Sequence, residues 1–402
     1  MVDRPFFSIL LPTKNRSHLV GYAIRSVLLQ DFADFEIVVC DNDDDASSTR
    51  LVVEGFLGDA RIRYLRTGDL DMVQNWTRAL NASRGRNVIL LEDKMVFYPG
   101  ALASIRERVN RSPSGVVVWR TDVVEDASAK AFLIQIPDSG ERIMRSEEVL
   151  SVMSRDVMKL WQYLPRGLCC CTPAELIYSI QEKTGEPYYE IYSPDFVAAV
   201  KLLANIDEYL LWDRSLQLVV SSRVGNGRNV SSKRDTDCSY YKGKSPLVIK
   251  SDYVDVKNPL IVANSIANDF RRQTSKYGGR LLGYPIAQAD YVRMMVKELA
   301  KEVLRTRRVT WMVKDFFQLI MSGRSPLHNF VIMVGTAVGL LWRVACKKNL
   351  PEGGARRPVR RILTVDGDPM DVVQAFLDGR ATLGIVQPFT TGAAVPGKKG
   401  IL

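Results

Sequence analysis

Acidic side chains follow two apolar stretches of the chain at the point where each stretch ends. Glu92 and Asp93 come directly after residues 87–91, and Asp41 follows residues 36–40. Both stretches have the apolar character of buried strands, and ligands of open α/β sheets bind at the carboxyl ends of the strands. Carboxylates at such an edge can hold a divalent cation or accept hydrogen bonds from a ligand. The alternative is a polar turn after each strand, which Asp also favours.

The elements that would position these residues alternate along the first part of the chain. Apolar stretches at residues 6–11, 36–40, 62–65 and 87–91 predict strands, and apolar residues at helical spacing between them predict helices, including one over residues 72–82. Strands that alternate with helices in this way predict an α/β fold with a doubly wound, mostly parallel sheet.

The pattern becomes less regular further along the chain. Residues 115–119 and 216–222 predict strands, and residues 146–185 predict helical stretches around Cys169 to Cys171. Residues 222–228 are predicted to form a basic loop, which we interpret as a solvated turn rather than a phosphate-binding loop. A helix is predicted after Pro194, where Ser193 would be its N-cap and Asp195 would lie in its first turn.

Composition narrows the class of protein. With 402 residues, 46% hydrophobic and 25% charged, the chain is globular and not disordered. Its only histidines are His18 and His328, which disfavours a histidine-based triad or metal site. The six cysteines lack metal-binding spacing and predict buried thiols in a reducing compartment. The first residues show no secretory signal, so the sequence predicts a cytoplasmic protein.

Charge is unevenly distributed along the chain. Residues 236–402 contain 26 Lys and Arg against 13 Asp and Glu, a formal charge of +13, whereas residues 1–235 have a formal charge of −3. We therefore predict a neutral-to-acidic domain over residues 1–235, a helical, basic C-terminal extension over 236–350, and a basic, poorly ordered tail over 351–402. A basic appendage of this kind suits an anionic partner, either nucleic acid or the inner face of a membrane.

Apolar residues in the basic extension favour the membrane. Residues 291–321 have the spacing of one or two amphipathic helices, and residues 330–342 are 13 residues without a charge. That run is too short to span a bilayer comfortably, but with the basic residues after it, it suits an interfacial helix beside anionic headgroups. The alternative is a core helix followed by a solvated basic segment. We expect a peripheral protein on the inner face of the cell membrane that does not bind nucleic acid.

Four motifs in the first hundred residues occur in a recognisable order. They are PTKNRS at 12–17, VVCDND at 38–43, NWTRALNASRG at 75–85 and LLEDKMVFYPGAL at 90–102. Together with YSPDF at 192–196, their order and spacing resemble the inverting family 2 glycosyltransferases of the GT-A fold that act in bacterial polysaccharide and lipopolysaccharide synthesis. The resemblance covers roughly residues 6–225. It implies transfer of a sugar from a nucleotide-diphospho-sugar donor to a glycan or lipid-linked acceptor.

The resemblance also implies which residues contact the donor. The motif positions that would bind the nucleotide sugar are Pro12, Thr13, Asn15, Arg16, Asp41, Asn42, Asn75 and Lys94. Side chains of Asn and Asp in these loops also serve ordinary turn and cap chemistry, which is the alternative explanation for them.

One position departs from the pattern of the family. The usual acidic motif, in which two Asp flank one residue, binds Mg²⁺ or Mn²⁺ that bridges the donor phosphates. Here Glu92 takes the first acidic position, Asp93 the middle one, and Lys94 stands where the second Asp is expected. Either Asp93, with or without Glu92, holds a divalent metal, or the Lys94 ammonium meets the diphosphate itself. A surface lysine without a role is the third alternative.

Asp195 is the candidate catalytic base, because inversion in one displacement needs a single carboxylate near the acceptor hydroxyl. At the positive end of a helix it should stay ionised. Its position is also explained by helix capping alone. Two other functions compete with a transferase: a donor-binding scaffold that lacks catalysis, suggested by Lys94, and a nucleotidyltransferase. The latter would need a glycine-rich phosphate loop, and residues 12–17 contain no glycine.

Overall fold

The computed structural model describes most of the first 220 residues and several later segments. The described residues are 4–126, 130–135, 138–190, 193–220, 262–306, 317, 319–321, 325–347, 361–366, 373–374 and 377.

Four of the eleven strands of the sheet form an entirely parallel part. Its strands lie in the order β3, β2, β1, β4, so that β1 is flanked by β2 on one side and by β4 on the other. All seven residues of β1 and of β2 are buried, as expected for strands covered on both faces. The strands are β1 Phe7–Thr13, β2 Phe35–Asp41, β3 Ile62–Arg66 and β4 Asn87–Leu90.

The strand order creates a switch point between β1 and β4. The chain moves from β1 outward to β2 and β3, then returns to the other side of β1 to form β4. Because such crossovers are right-handed, the helices before β3 cover one face of the sheet and the helix before β4 covers the other. Ligands of doubly wound sheets bind at this point, outside the carboxyl ends of the strands. The helices are α1 Ser17–Leu28, α2 Ser48–Glu54 and α3 Met72–Ala82.

Gly85 allows β4 to lie directly beside β1. A Cβ atom at this position would lie 2.5 Å from the backbone nitrogen of Ser8 and 2.6 Å from its Oγ, closer than real Cβ contacts. The Gly85 N–H donates a 2.7 Å hydrogen bond to Ser8 Oγ, which in turn donates to Glu36 Oε1 at 2.6 Å. These contacts join the turn after α3 to the strands β1 and β2.

The rest of the sheet is mostly antiparallel. The strands predicted at residues 115–119 and 216–222 overlap two strands of this part, but the antiparallel pairing was not predicted. Strand β9 pairs antiparallel with both β4 and β6, and β10 runs parallel to β6 and antiparallel to β5 and β8. The predicted α/β class is confirmed, and the fully parallel part is limited to four strands. The remaining strands are β5 Met95–Phe97, β6 Val117–Asp126, β7 Lys130–Gln135, β8 Glu141–Arg145, β9 Cys170–Pro173, β10 Glu208–Val220 and β11 Arg361–Asp366.

Helical stretches within residues 146–185 are confirmed by the helices Ser146–Met153 and Ala174–Thr184, but the cysteines between them do not lie in a helix. Cys170 and Cys171 belong to strand β9, where Cys171 pairs with Ile89 on one side and Val117 on the other. Both cysteines are fully buried and have free thiols. Cysteine is a small apolar residue that fits a central strand, so pairing with two neighbouring strands overrides the weak helical signal.

Seven further helices complete the described part of the chain. They are α4 Ala101–Val109, α5 Ser146–Met153, α6 Ala174–Thr184, α7 Pro194–Asn205, α8 Val262–Tyr277, α9 Gln288–Thr306 and α10 Pro326–Lys347. A short 3₁₀ turn, Gly279–Gly283, follows α8. Helix α9 confirms helical structure in the first part of residues 291–321, and α10 contains the uncharged run 330–342 and extends beyond it at both ends.

The C-terminal helices belong to the same core as the sheet. Ile266 and Phe270 of α8 and Leu299 of α9 are almost fully buried and join one hydrophobic cluster with β1 and β4. The boundary predicted near residue 235 therefore separates residues that share a core. Within the part of the chain that the structure describes, no helix has both the length and the apolar character needed to cross a bilayer.

The last part of the chain differs in one place from the predicted tail. Arg361–Asp366 forms strand β11, which pairs antiparallel with β7 over its whole length. Edge pairing with β7 gives this segment backbone hydrogen bonds that composition alone does not reveal. Most of the remaining residues from 351 to 402, and the basic loop 222–228, lie outside the described residues.

Candidate active site

The ends of β1 and β4 are joined by side chains at the switch point. Thr13, the last residue of β1, donates its hydroxyl to Asp93 Oδ2 at 2.8 Å. Arg16 Nη1 donates to Asp93 Oδ1 at 2.9 Å, so both oxygens of this carboxylate accept a hydrogen bond. The Asp93 side chain is only 2% exposed. The structure thus brings Thr13 and Arg16, which are predicted to bind the donor, together with Asp93, which is predicted to hold a metal.

The two residues that flank Asp93 form a second ion pair. Lys94 Nζ lies 3.1 Å from Glu92 Oε2, and both side chains are largely buried. The Lys94 carbonyl accepts the backbone N–H of Val220 at 3.0 Å, which fixes this loop against the end of β10. The edge of the sheet therefore presents two carboxylates, each already neutralised by a cation.

The described residues do not fit a preformed divalent metal site. Mg²⁺ and Mn²⁺ need several free oxygen ligands, but the Asp93 oxygens are occupied by Thr13 and Arg16, and Glu92 is paired with Lys94. Among the residues that the structure describes, no three His, Cys, Asp or Glu side chains lie close enough to hold a metal ion together. Metal binding by Asp93 and Glu92 would require both ion pairs to open and stays a prediction.

Asp41 organises the loop after β2 from a fully buried position. Its carboxylate accepts hydrogen bonds from the Tyr64 hydroxyl at 2.6 Å and from the backbone N–H of Asp43 at 2.9 Å. The Arg66 guanidinium lies 3.3 Å from Asp41 Oδ1. Burial, together with the hydrogen bond to the Asp41 carboxylate, raises the pKa of the Tyr64 hydroxyl. Direct contact between Asp41 and a nucleotide stays a prediction, because these bonds already occupy the carboxylate.

Asn42 and Asn75, two other residues assigned to donor binding, tie loops together. Asn42 exchanges two hydrogen bonds with the backbone of Leu70, at 2.7 and 2.9 Å. Asn75 donates to the Cys40 carbonyl at 3.2 Å and accepts the Thr67 hydroxyl at 2.9 Å. Both asparagines are buried. Their amides shape the rim of the crevice by fixing the loops after β2 and β3.

Asn15 lies on the exposed side of the same rim. It adopts a left-handed backbone conformation with φ of 54°, which asparagine tolerates better than most residues. Its side chain donates to Asp44 Oδ2 at 2.7 Å and accepts the Asp44 backbone N–H at 2.9 Å. This exchange joins the loop after β1 to the loop after β2. Pro12 lies in β1, where it is buried opposite Cys40.

Asp195 lies in the first turn of helix α7, as the sequence predicts. Pro194 is the first residue of that helix, and Ser193 is its N-cap. The Asp195 carboxylate accepts a 2.7 Å hydrogen bond from Arg166 Nη1, and both side chains are largely buried. The Arg166 guanidinium lies between two aromatic rings, 5.1 Å from the centroid of Trp161 and 5.2 Å from that of Phe196.

Arg166 is a functional candidate that sequence reasoning missed. It lies on the segment before β9, where Leu168 forms a bridge with Leu90 at the end of β4. This bridge brings the segment to the loop that contains Glu92. Gly167 and Cys169 on either side of Leu168 have positive φ angles of 81° and 55°. An arginine before a glycine in an irregular stretch was the only signal available.

The charge of Asp195 reflects opposing effects. Burial raises the pKa of this carboxyl, whereas the Arg166 guanidinium and the Phe196 backbone N–H lower it, and the Glu92 carboxylate raises it further. The net effect is a pKa above the ordinary value. The helix N-terminus favours ionisation, but burial outweighs it. The electrostatic effect of Glu92 indicates that Asp195 lies near the loop that follows β4.

These features define a class of protein. An open α/β sheet with polar loops at its switch point is typical of nucleotide binding, and a buried carboxylate of raised pKa beside that crevice suits a general base. Residues 8–163 match the model of the family described as "Glycosyl transferase family 2". Residues 8–163 thus carry the sequence pattern of that family.

Two curated bacterial proteins are similar over part of the chain. The GalNAc(5)-diNAcBac-PP-undecaprenol beta-1,3-glucosyltransferase of Campylobacter jejuni is 33% identical over 109 residues, which are 26% of this chain and 35% of that protein. The Escherichia coli UDP-Glc:alpha-D-GlcNAc-diphosphoundecaprenol beta-1,3-glucosyltransferase WfgD is 41% identical over 64 residues, 16% of this chain and 24% of that protein. The chain thus spans about a third or less of the length of these relatives.

Among solved structures, TarS 1-349 of S. aureus in complex with UDP-GlcNAc is similar with a TM-score of 0.42 and 14% identity. The similarity covers 84% of this chain and 92% of that chain.

Proposed function

We propose that this protein transfers a sugar from a nucleotide-diphospho-sugar to a lipid-linked or glycan acceptor with inversion, and that Asp195 is the general base. The observation that carries the proposal is the position of Asp195: it is a buried carboxylate, held by Arg166 at 2.7 Å and near enough to Glu92 for that carboxylate to raise its pKa. The names of the two curated relatives contain undecaprenol-linked substrates, which supports a lipid-linked acceptor.

The chemistry is a single displacement at the anomeric carbon. The acceptor hydroxyl attacks that carbon from the side opposite the diphosphate, and its proton passes to Asp195. The bond between the sugar and the diphosphate breaks, and its electron pair leaves with the nucleoside diphosphate. A raised pKa makes Asp195 a stronger base than an exposed aspartate, and Arg166 holds its carboxylate in one orientation.

The leaving diphosphate needs positive charge, and the sheet edge has two cations available for it. Lys94 and Arg16 are paired with Glu92 and Asp93 in the structure, so a diphosphate would compete with these carboxylates for them. A partly buried ammonium acts on the leaving group more strongly than a solvated one because little water screens it. Thr13 and the loops fixed by Asn15, Asp41, Asn42 and Asn75 would surround the nucleotide.

An anionic membrane surface is the proposed second partner. Helix α10 exposes a row of large apolar side chains at helical spacing: Leu327, Phe330, Val331, Val334 and Val338, which are 43% to 75% exposed. In the sequence, Arg343, Lys347, Lys348 and further basic residues follow this row. An apolar row beside basic residues fits the interface of a membrane with anionic headgroups, where lipid-linked acceptors reside. The protein would then act at the inner face of the cell membrane.

The experiment that tests the catalytic proposal is Asp195→Asn. The amide keeps the size of the side chain and an acceptor for Arg166, but it cannot take the proton. We expect transfer to fall by about 10²- to 10⁴-fold while donor binding, measured by calorimetry, stays within about threefold. Equal transfer by the variant and the parent would remove Asp195 from the mechanism. A parent that binds the donor but transfers no sugar to any acceptor would instead support a scaffold function.

A further inference from the structure

Helix α7, which contains Asp195, receives a carboxylate at its N-terminus from another helix. Asp269 of α8 accepts the backbone N–H of Ser193 through Oδ2 at 2.7 Å. Ser193 is the N-cap of α7, and its own side chain makes no capping hydrogen bond. Asp269 is 2% exposed. It therefore supplies, from a distant part of the sequence, the contact that a glutamate in the first turn supplies in a capping box.

The other end of α7 is held by a cation from the same region. Arg280, in the 3₁₀ turn after α8, donates to the Leu203 carbonyl at 3.2 Å and also to the Ile206 carbonyl. It pairs in addition with Asp207. A carboxylate at the N-terminus and a guanidinium at the C-terminus both complement the helix dipole.

A buried ion pair holds the middle of α7. Lys201 is only 1% exposed and lies 2.6 Å from Glu190 Oε1. Glu190 also accepts hydrogen bonds from Arg272 and from the Tyr277 hydroxyl of α8, each at 2.9 Å. A buried ammonium needs such a partner, and the partner in turn is fixed by α8. Helix α8 and its 3₁₀ turn thus hold α7 at both ends and at its centre.

We propose that Asp269 and Arg280 are positioning residues for Asp195, so that residues 262–283 complete the active centre although they lie outside the family 2 match. The inference rests on the proposed role of Asp195 as general base. It assigns a catalytic purpose to a C-terminal segment whose composition suggests only a basic appendage. Displacing a reacting group by about 1 Å can lower a rate by about 10²-fold, which is why fixing the helix at three places matters.

Because the Asp269 carboxylate lies at the N-terminus of the helix that contains Asp195, we also expect its charge to influence Asp195. Among the described residues, the Arg166 guanidinium, the Glu92 carboxylate and the Tyr189 hydroxyl lie near Asp195, and the Asp269 carboxylate lies at the start of the same helix. A like charge nearby disfavours ionisation of a carboxyl group. Removing the Asp269 charge should therefore shift the acidic limb of the pH–rate profile toward lower pH.

The test uses the full chain and compares Asp269→Asn with Asp269→Leu. Asn keeps an oxygen for the Ser193 N–H but removes the charge, so we expect kcat within about threefold of the parent and an acidic limb lower by up to about one pH unit. Leu removes both the charge and the acceptor, so kcat should fall by about 10- to 100-fold while the donor KM changes less than about threefold.

Two controls separate positioning from general stability. Asp290→Asn also removes one carboxylate charge, but from helix α9, where Asp290 pairs with Arg293 at 2.9 Å. This variant should leave the pH–rate profile unchanged. Thermal unfolding and donor titration measure the fraction of each variant that is folded and able to bind the donor. A change in that fraction alters the height of the pH–rate profile but not the pH at which its acidic limb lies.

The outcomes distinguish this inference from the proposed function. If Asp195→Asn is inactive and Asp269→Asn shifts the acidic limb as expected, the inference stands. If Asp195→Asn is inactive but both Asp269 variants keep the parent limb and the parent kcat per folded molecule, Asp269 has no positioning role. An active Asp195→Asn protein refutes the proposed base, whatever the Asp269 variants do.

Discussion

Replacing Lys94 by Met distinguishes catalysis by this ammonium from catalysis by a metal ion. Met keeps the length and apolar character of the lysine stem and removes only the charge. The Lys94 side chain is 11% exposed, so its charge acts in a poorly solvated place. A unit charge about 4 Å from a developing negative charge is worth about 4 kcal/mol at an effective dielectric constant of about 20. We therefore expect kcat to fall by about 10²- to 10³-fold.

Loss of Lys94 also uncovers a carboxylate. Glu92 Oε2 lies 3.1 Å from Lys94 Nζ and would be left unpaired beside the diphosphate in the single variant. The double variant Lys94→Met with Glu92→Gln removes that repulsion. We expect it to recover about 10-fold of the lost rate, and the remainder measures the attraction that Lys94 itself provides. Lys301→Met, an exposed lysine paired with Glu298 on helix α9, is the matched control and should be neutral.

The assay is release of nucleoside diphosphate at saturating donor, with Mg²⁺, with Mn²⁺ and with excess EDTA. If Lys94 supplies the charge, the parent rate in EDTA stays within about threefold of the rate with metal, and Lys94→Met is slow in every condition. The reasoning is refuted if EDTA abolishes transfer by the parent while Lys94→Met retains its metal-dependent rate. In that case Asp93 holds a metal, and its hydrogen bonds with Thr13 and Arg16 must open when the donor binds.

Three further predictions concern stability and membrane binding. Burial opposes ionisation of Glu36, but hydrogen bonds from Ser8, Arg84 and Arg63 outweigh burial and lower the pKa of this carboxyl. Glu36→Gln should therefore lower the free energy of unfolding in urea by about 2 kcal/mol above pH 5. This difference between variant and parent should disappear as the pH falls through the lowered pKa. Gly85→Ala should lower the free energy of unfolding by about 2 to 3 kcal/mol, because the added Cβ atom meets the backbone of Ser8. Gly58→Ala should not destabilise the protein, because a Cβ atom added there has no neighbouring group within 4 Å. Full-length protein should sediment with anionic vesicles at low salt and be released as salt rises. Changing Leu327, Val334 and Val338 together to Gln should lower vesicle binding at least about 10-fold. Leu282, which is 64% exposed, is the control, and Leu282→Gln should not change vesicle binding.

The parallel part of the sheet could be predicted because its signals are local. Strands β1, β2 and β4 are short apolar runs that end in polar loops, and α3 was predicted at its observed limits, Met72–Ala82. The capping box of Asp71 and Gln74 marks the start of that helix within four residues of sequence. Local patterns of this kind also placed Asp195 in the first turn of α7.

The antiparallel pairing could not be predicted because it depends on distant strands. Strand β9 has no alternation that separates it from a helix, and it is a strand because β4 and β6 both pair with it. The same applies to β11, which pairs with β7 across more than two hundred residues of sequence.

Site residues divide in the same way. Thr13, Arg16, Glu92, Asp93 and Lys94 were identified by their positions at strand ends, and the structure brings them together. Which cation pairs with which carboxylate was not visible in the sequence, because the pairs form between loops: Arg16 reaches Asp93 across 77 residues, and Arg166 reaches Asp195 across 29.

The position of α8 shows why charge composition does not reveal which residues pack with the sheet. Net charge is set by the many side chains that face solvent, and after residue 235 these are mainly basic. Membership of the core is set by a few apolar residues, such as Ile266 and Phe270, which lie in the same cluster as the sheet. In the proposed site the contribution of this segment comes from still fewer residues, since Asp269 and Arg280 contact the two ends of α7. A segment can therefore be basic on its surface and still complete the helix that contains Asp195.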